Sequence, residues 1–200
     1  MKKALTILAS LLCAFLLSSC SPRDFLTRRL AADLIDRSNT FKDVQQFWLH
    51  TGRVSNKDYL APESLVLQQH GWISGTRATC PPDLAPPPCW DVLLTPSGVD
   101  TFRMLVATAD AEKPAFAVSA ARRELVAVTG ISRQGNSADV EFTWKWTPLN
   151  EVGAALYSGE VHYKSIAGFR KYDDGWRIVQ SVPRGGQALD DALKNALPIQ

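Results

Sequence analysis

Cysteine is scarce in this chain, four in 200 residues, and histidine is scarcer, with three. Neither recurs at a metal-ligand spacing. His50, His70 and His162 are scattered, and no second cysteine pair stands near Cys80 and Cys89, so the ligand sets of structural or catalytic zinc are missing. No Gly-x-Ser-x-Gly elbow, dinucleotide glycine fingerprint or phosphate-cradling glycine loop occurs, which removes the usual signatures of hydrolases and nucleotide enzymes. The sequence therefore assigns no catalytic residue, no metal site and no cofactor. A long apolar run is also lacking: the stretch over residues 4–17 is about 14 residues, short of the roughly 20 that a membrane-spanning helix needs.

Acidic side chains are absent from residues 1–19, which hold two of the 22 basic ones, Lys2 and Lys3. The remaining 20 basic and 20 acidic groups cancel. A neutral body lacks the broad positive field that draws nucleic acid, so no nucleic-acid partner is expected. The composition, 46% apolar and 21% charged, is that of a globular protein with one core, or two small ones.

Lys2 and Lys3 followed by the apolar stretch have the form of an export signal. Leu17-Ser18-Ser19-Cys20 then resembles the lipobox of bacterial lipoprotein precursors, in which a small residue precedes an invariant cysteine. The resemblance covers the first 20 residues. It implies cleavage before Cys20, a diacylglyceryl group on its sulfur and an acylated new amine, which would hold the chain on a lipid bilayer. Ser21 in place of aspartate implies, by the same resemblance, the outer membrane facing the periplasm, where the cell has one. The alternative is an ordinary secretory signal with Cys20 near the cut.

Export places Cys80 and Cys89 in a compartment where disulfides persist, and a bridge between them is the economical reading. The loop between them, Pro81-Pro82-Asp83-Leu84-Ala85-Pro86-Pro87-Pro88, reads as a stiffened surface loop or as a polyproline ligand.

Apolar positions Leu26, Leu30 and Leu34, with Ala31 and Ile35 beside them, predict an amphipathic helix over 25–37. A second helix is expected over 41–50, with Thr40 as cap and Gly52 as stop, and a third over 62–70 ending at Gly71. Residues 72–79 and 90–94 read as strands joined by the cysteine loop, and Thr95-Pro96 caps a short helix through 103. This order is similar to part of a winged-helix module over about 40 residues, which outside the cytoplasm implies protein contact.

Val140, Phe142, Trp144 and Trp146 alternate with Glu141, Thr143, Lys145 and Thr147, the period of a half-buried strand. Strands over 125–131 and 160–172 flank it, and Asp173-Asp174-Gly175 turns the chain into a last strand over 176–182. A final helical stripe runs from Leu189 to Leu197. The expected fold is α+β: a four-stranded antiparallel meander packed with N-terminal helices, preceded by a helix and hairpin region. The divisions are a leader over 1–19, anchor and amphipathic helix over 20–40, helical and disulfide-hairpin region over 41–115, and sheet with C-terminal helix over 116–200. Residues 118–182 resemble NTF2-like and cystatin-like domains, which implies a cone or groove that binds a small molecule or a protein.

Two functions follow as expectations. One is a non-enzymatic envelope lipoprotein that binds a protein partner or supports an assembly. The other is a small-ligand binder or enzyme with a pocket lined by Trp144, Trp146, His162 and Tyr163.

Overall fold

The computed structural model describes residues 25–82, 84, 87–105, 115–157, 159–179 and 188–199. The expected leader and Cys20 lie outside the described residues. In chain order the elements are α1 (Arg28–Arg37), α2 (Asn39–Lys42), β1 (Gln45–His50), β2 (Gly52–Ser55), α3 (Asn56–Tyr59), α4 (Pro62–Gln69), β3 (Ile73–Ala78), β4 (Cys89–Leu94) and α5 (Pro96–Arg103). There follow β5 (Ala115–Gln134), β6 (Ser137–Pro148), α6 (Glu151–Leu156), β7 (His162–Tyr172), β8 (Gly175–Ile178), α7 (Leu189–Lys194) and β9 (Leu197–Ile199). Two compact units share them. Among the described residues, the first comprises those within 25–41, 125–143 and 163–198, and the second those within 42–124, 144–162 and 199.

The fold is mixed helix and antiparallel sheet, as expected, but the main sheet is not a four-stranded meander. Six strands form it, in the order β1-β5-β6-β7-β8 with β9 against β7. The two extra strands come from segments whose sequence reads as helix. In 41–50, Val44 and Trp48 are spaced four apart like a helical face, yet both are exposed, at 42% and 55%. Leu49 is buried and Phe47 half-buried, while Gln46, Trp48 and His50 face water, which is the period of two that a strand requires. Thr40 lies inside the short α2 instead of capping a longer helix. At the C-terminal end α7 stops at Lys194, and Pro198, which cannot donate a helical hydrogen bond, falls in β9.

In the first unit, Thr27 starts α1 by accepting a hydrogen bond at its side chain from the Leu30 N–H, 3.1 Å away. Ala31 and Ile35, one turn apart, are buried on the same face. Phe41 packs edge-on to Phe142 with ring centres 6.4 Å apart. The β7–β8 turn is the expected one: Gly175 has φ +125°, a backbone region that a side chain disfavours. The strand after it ends at Ile178, and residues 180–182 of the expected strand lie outside the described residues.

In the second unit, β2, β4 and β3 make a separate antiparallel sheet. Its core gathers Leu49, Val54, Leu67, Trp72, Phe102 and Val118 with their apolar neighbours. Residues 62–69, 73–78, 89–94 and 96–103 adopt the structure that their caps and alternation predict. The disulfide joins Cys80 to Cys89 across the β3–β4 hairpin, with Cα atoms 5.1 Å apart. β5 starts ten residues before the expected 125. Gln45 opposes Ala121 while Gln46 opposes Ser119, so Ala120 is an extra, bulged residue and Ala120 and Ala121 both turn inward.

Candidate functional site

Trp144 and Trp146 occupy alternate positions of β6 and therefore one face of it. Trp144 is 2% exposed and Trp146 is half-buried. Their rings meet edge to face at 5.1 Å, and Tyr157, just past α6, lies 5.7 Å from Trp146. The Arg123 guanidinium, carried by β5, sits 4.8 Å from the Trp146 ring centre and 5.6 Å from that of Trp144. It also donates to the Asp43 carbonyl at 3.3 Å. A cation over two indole faces is attracted by the ring quadrupoles, typically by 0.5 to about 2 kcal/mol. The protein's own arginine thus takes the place that a ligand cation would take.

On the opposite face of β5 and β6, Thr147 donates to Glu124 at 2.6 Å and Lys145 approaches the same carboxylate at 3.7 Å. The Thr147 hydrogen bond, with Lys145 adding to it, holds the Glu124 carboxyl below the usual carboxylate range. Both groups are solvated, so the contact adds little stability.

His162 and Tyr163 open β7 as half-buried residues, and the boundary between the two units falls between them. Of the four expected pocket residues the structure brings Trp144 and Trp146 together, with Arg123 and Tyr157 as companions that the sequence reading missed. Arg123 carries a faint signal, since it stands half-buried in a strand whose inward residues are small and apolar. Tyr157 carries none.

A separate cavity in the second unit is lined by Leu49, His50, Asp58, Tyr59 and Ser64 among others. Its volume is about 10 Å³, room for about one water molecule. Ser64 of this cavity and Ser55, the cap of α3, serve that helix: the Ser55 hydroxyl donates to the Asp58 carboxylate at 2.8 Å and the Ser64 hydroxyl to the Asp58 carbonyl at 2.7 Å. His70 stacks on Trp72 at 4.6 Å. Asp173 and Asp174 form the turn, where Arg177 holds the Asp174 carboxyl below its usual range. Among the described residues no group of three metal-binding side chains converges, and no helix is long and apolar enough to cross a membrane.

The remaining distinctive surface is β1. It ends the strand order of the main sheet and carries Trp48, 55% exposed, on its outer side. Compared with family models, with curated proteins and with solved structures, the chain has no match.

Proposed function

We propose that this chain is a lipid-anchored protein of the bacterial cell envelope whose folded part presents a surface to another envelope protein. The observation that carries the proposal is Leu17-Ser18-Ser19-Cys20 directly after a short apolar run with two lysines in front of it. The Cys80–Cys89 bridge supports the exported half of the reading, because such bonds persist outside the reducing cytoplasm. Acyl chains on Cys20 bury many methylenes at about 0.8 kcal/mol each, and more than one chain makes attachment durable. In this proposal the anchor lies in the outer membrane and the body faces the periplasm.

Support for protein contact comes from β1, which ends the sheet order as an edge strand and carries the exposed indole of Trp48. A strand added along that edge would gain main-chain hydrogen bonds and cover the ring. The strand order β5-β6-β7-β8 with a preceding helix also supports reading the sheet as an NTF2-like or cystatin-like body. The competing small-ligand reading needs space over the Trp144 and Trp146 rings, where the Arg123 guanidinium lies.

The test is fatty-acid labelling in cells. The native chain should take up label and sediment with membranes, and Cys20→Ser should remain an unlabelled precursor. Equal labelling of the two would remove the anchor.

A further inference from the structure

We propose that Phe25, Arg28, Arg29 and Arg133 of the first unit form a face that rests on anionic phospholipid headgroups beside the anchor. The inference rests on the lipidation of Cys20 proposed above and adds to it the side of the fold that meets the bilayer.

Phe25 is 53% exposed while its neighbour Leu26 is fully buried. The chain thus enters the core at Leu26 and leaves an aromatic ring outside. Arg28 and Arg29, both exposed, open α1, and its first turn contains no acid. Cations at that end oppose the helix dipole, so their placement runs against helix stability. Arg28 Nη2 donates to the Thr129 carbonyl at 3.0 Å, and Arg133 Nη2 donates to the Leu26 carbonyl. These bonds hold two guanidinium groups within a few residues of Phe25. Glu141, which Thr129 joins to this network, is paired with Lys164 at 2.7 Å, and Asp33 stands one helical turn beyond Arg29. In the tether, Arg23 and Asp24 cancel. With Asp33 set against one of Arg28, Arg29 and Arg133, the face still carries a surplus of positive charge around an aromatic residue.

The anchor determines what such a face meets. From Cys20 to Phe25 the chain has five residue steps, at most about 18 Å when fully extended. A lipidated Cys20 keeps Phe25 within that distance of the headgroup layer at all times. Aromatic rings settle at the headgroup level, and guanidinium groups bind phosphate through paired N–H donors. Each exposed arginine near an anionic surface strengthens binding by about fivefold.

The test uses the full lipidated chain, reconstituted into vesicles of phosphatidylethanolamine and phosphatidylglycerol doped with a photoactivatable phospholipid. Mass spectrometry then reads two things from one sample: the acyl mass on the N-terminal peptide and the positions of lipid crosslinks. Crosslinks should concentrate on residues 25–29 and near Arg133. They should fall about fivefold or more in pure phosphatidylcholine vesicles and in a Phe25→Ser, Arg29→Ala double variant, whose altered side chains are both exposed. An acylated N-terminus with crosslinks spread evenly, or gathered elsewhere, would overturn this inference and leave the anchor standing. A vesicle-free protein with a bare N-terminus would remove the anchor and this face with it.

Discussion

The two units hold their helices by different means. In the second unit, α5 and α6 begin alike: a cap residue, Thr95 or Asn150, is followed three positions later by a glycine, Gly98 or Gly153. Each glycine N–H donates to the cap side chain, at 3.0 and 2.9 Å. Beside each cap a backbone N–H donates to a strand-side carbonyl, Thr95 to Trp72 at 3.0 Å and Leu149 to Ala120 at 2.9 Å. A Cβ on Gly98 would lie 1.9 Å from the Trp72 oxygen, and one on Gly153 would lie 1.8 Å from the Ala120 oxygen. Backbone rests on backbone at both places. In the first unit, α1 has Leu30 where those helices have glycine, and α7 is tied by a side chain, with the buried Ser165 hydroxyl donating to the Ala192 carbonyl at 2.8 Å. A side-chain tie relaxes when it is cut, whereas a backbone seat has no slack.

The largest expected effect follows from that contrast. Gly98→Ala and Gly153→Ala should each cost about 3 kcal/mol, because the helix must lift off its seat. Gly130→Ala, in the first-unit part of β5, places its Cβ in ordinary contact 3.5 Å from Glu141 and should stay within about 0.5 kcal/mol of the native chain. Urea unfolding midpoints measure all three, and equal shifts would erase the distinction. Next in size is the bridge of the second unit. Replacing Cys80 and Cys89 together by serine should cost about 2 kcal/mol, less than an unconstrained loop of that length would lose, because prolines already stiffen it. Ser165→Ala in the first unit should cost about 1 kcal/mol by removing a buried donor from the Ala192 carbonyl. A loss as large as that of Gly153→Ala would show that the first unit has seats of its own.

The smallest effect concerns acid. In the first unit, hydrogen bonds from Lys164 and Thr129 hold the Glu141 carboxyl below its usual range; in the second, Thr147 does the same for Glu124. A carboxyl whose folded value is depressed adds stability that is complete above its unfolded value and is lost as pH falls through the folded one. Glu141→Gln and Glu124→Gln should therefore flatten the decline of stability at low pH and leave its shape near neutrality unchanged. A steeper decline in either variant would contradict the assignment.

What could be read from the sequence depended on where the deciding contact lay. The alternation through Val140, Phe142, Trp144 and Trp146, the Thr95 cap, the cysteine-closed hairpin and the Asp173–Gly175 turn are local signals, and each formed as read. By contrast, α1 starts three residues later than expected, leaving Leu26 outside it, and buries Ala31 and Ile35 fully but Leu30 and Leu34 only in part. The strands β1 and β9 are decided by partners far along the chain, β5 and β7, and a six-residue run such as Gln45–His50 offers too few positions to separate a period of two from 3.6. The start of β5 was hidden by its bulge at Ala120, which breaks the alternation. Asn150-x-x-Gly153 repeats the spacing of Thr95-x-x-Gly98 and was readable by that likeness. For the site, the neighbouring indoles were legible because they share one strand face, but Arg123 and Tyr157 arrive from elements that only folding brings there.

The measurement that bears most directly on the central claim is the mass of the N-terminal peptide of the chain isolated from its own cells. The account predicts a peptide that begins at Cys20 with a diacylglyceryl group on sulfur. A peptide that begins at Met1, or a Cys20 with a free thiol, would contradict it.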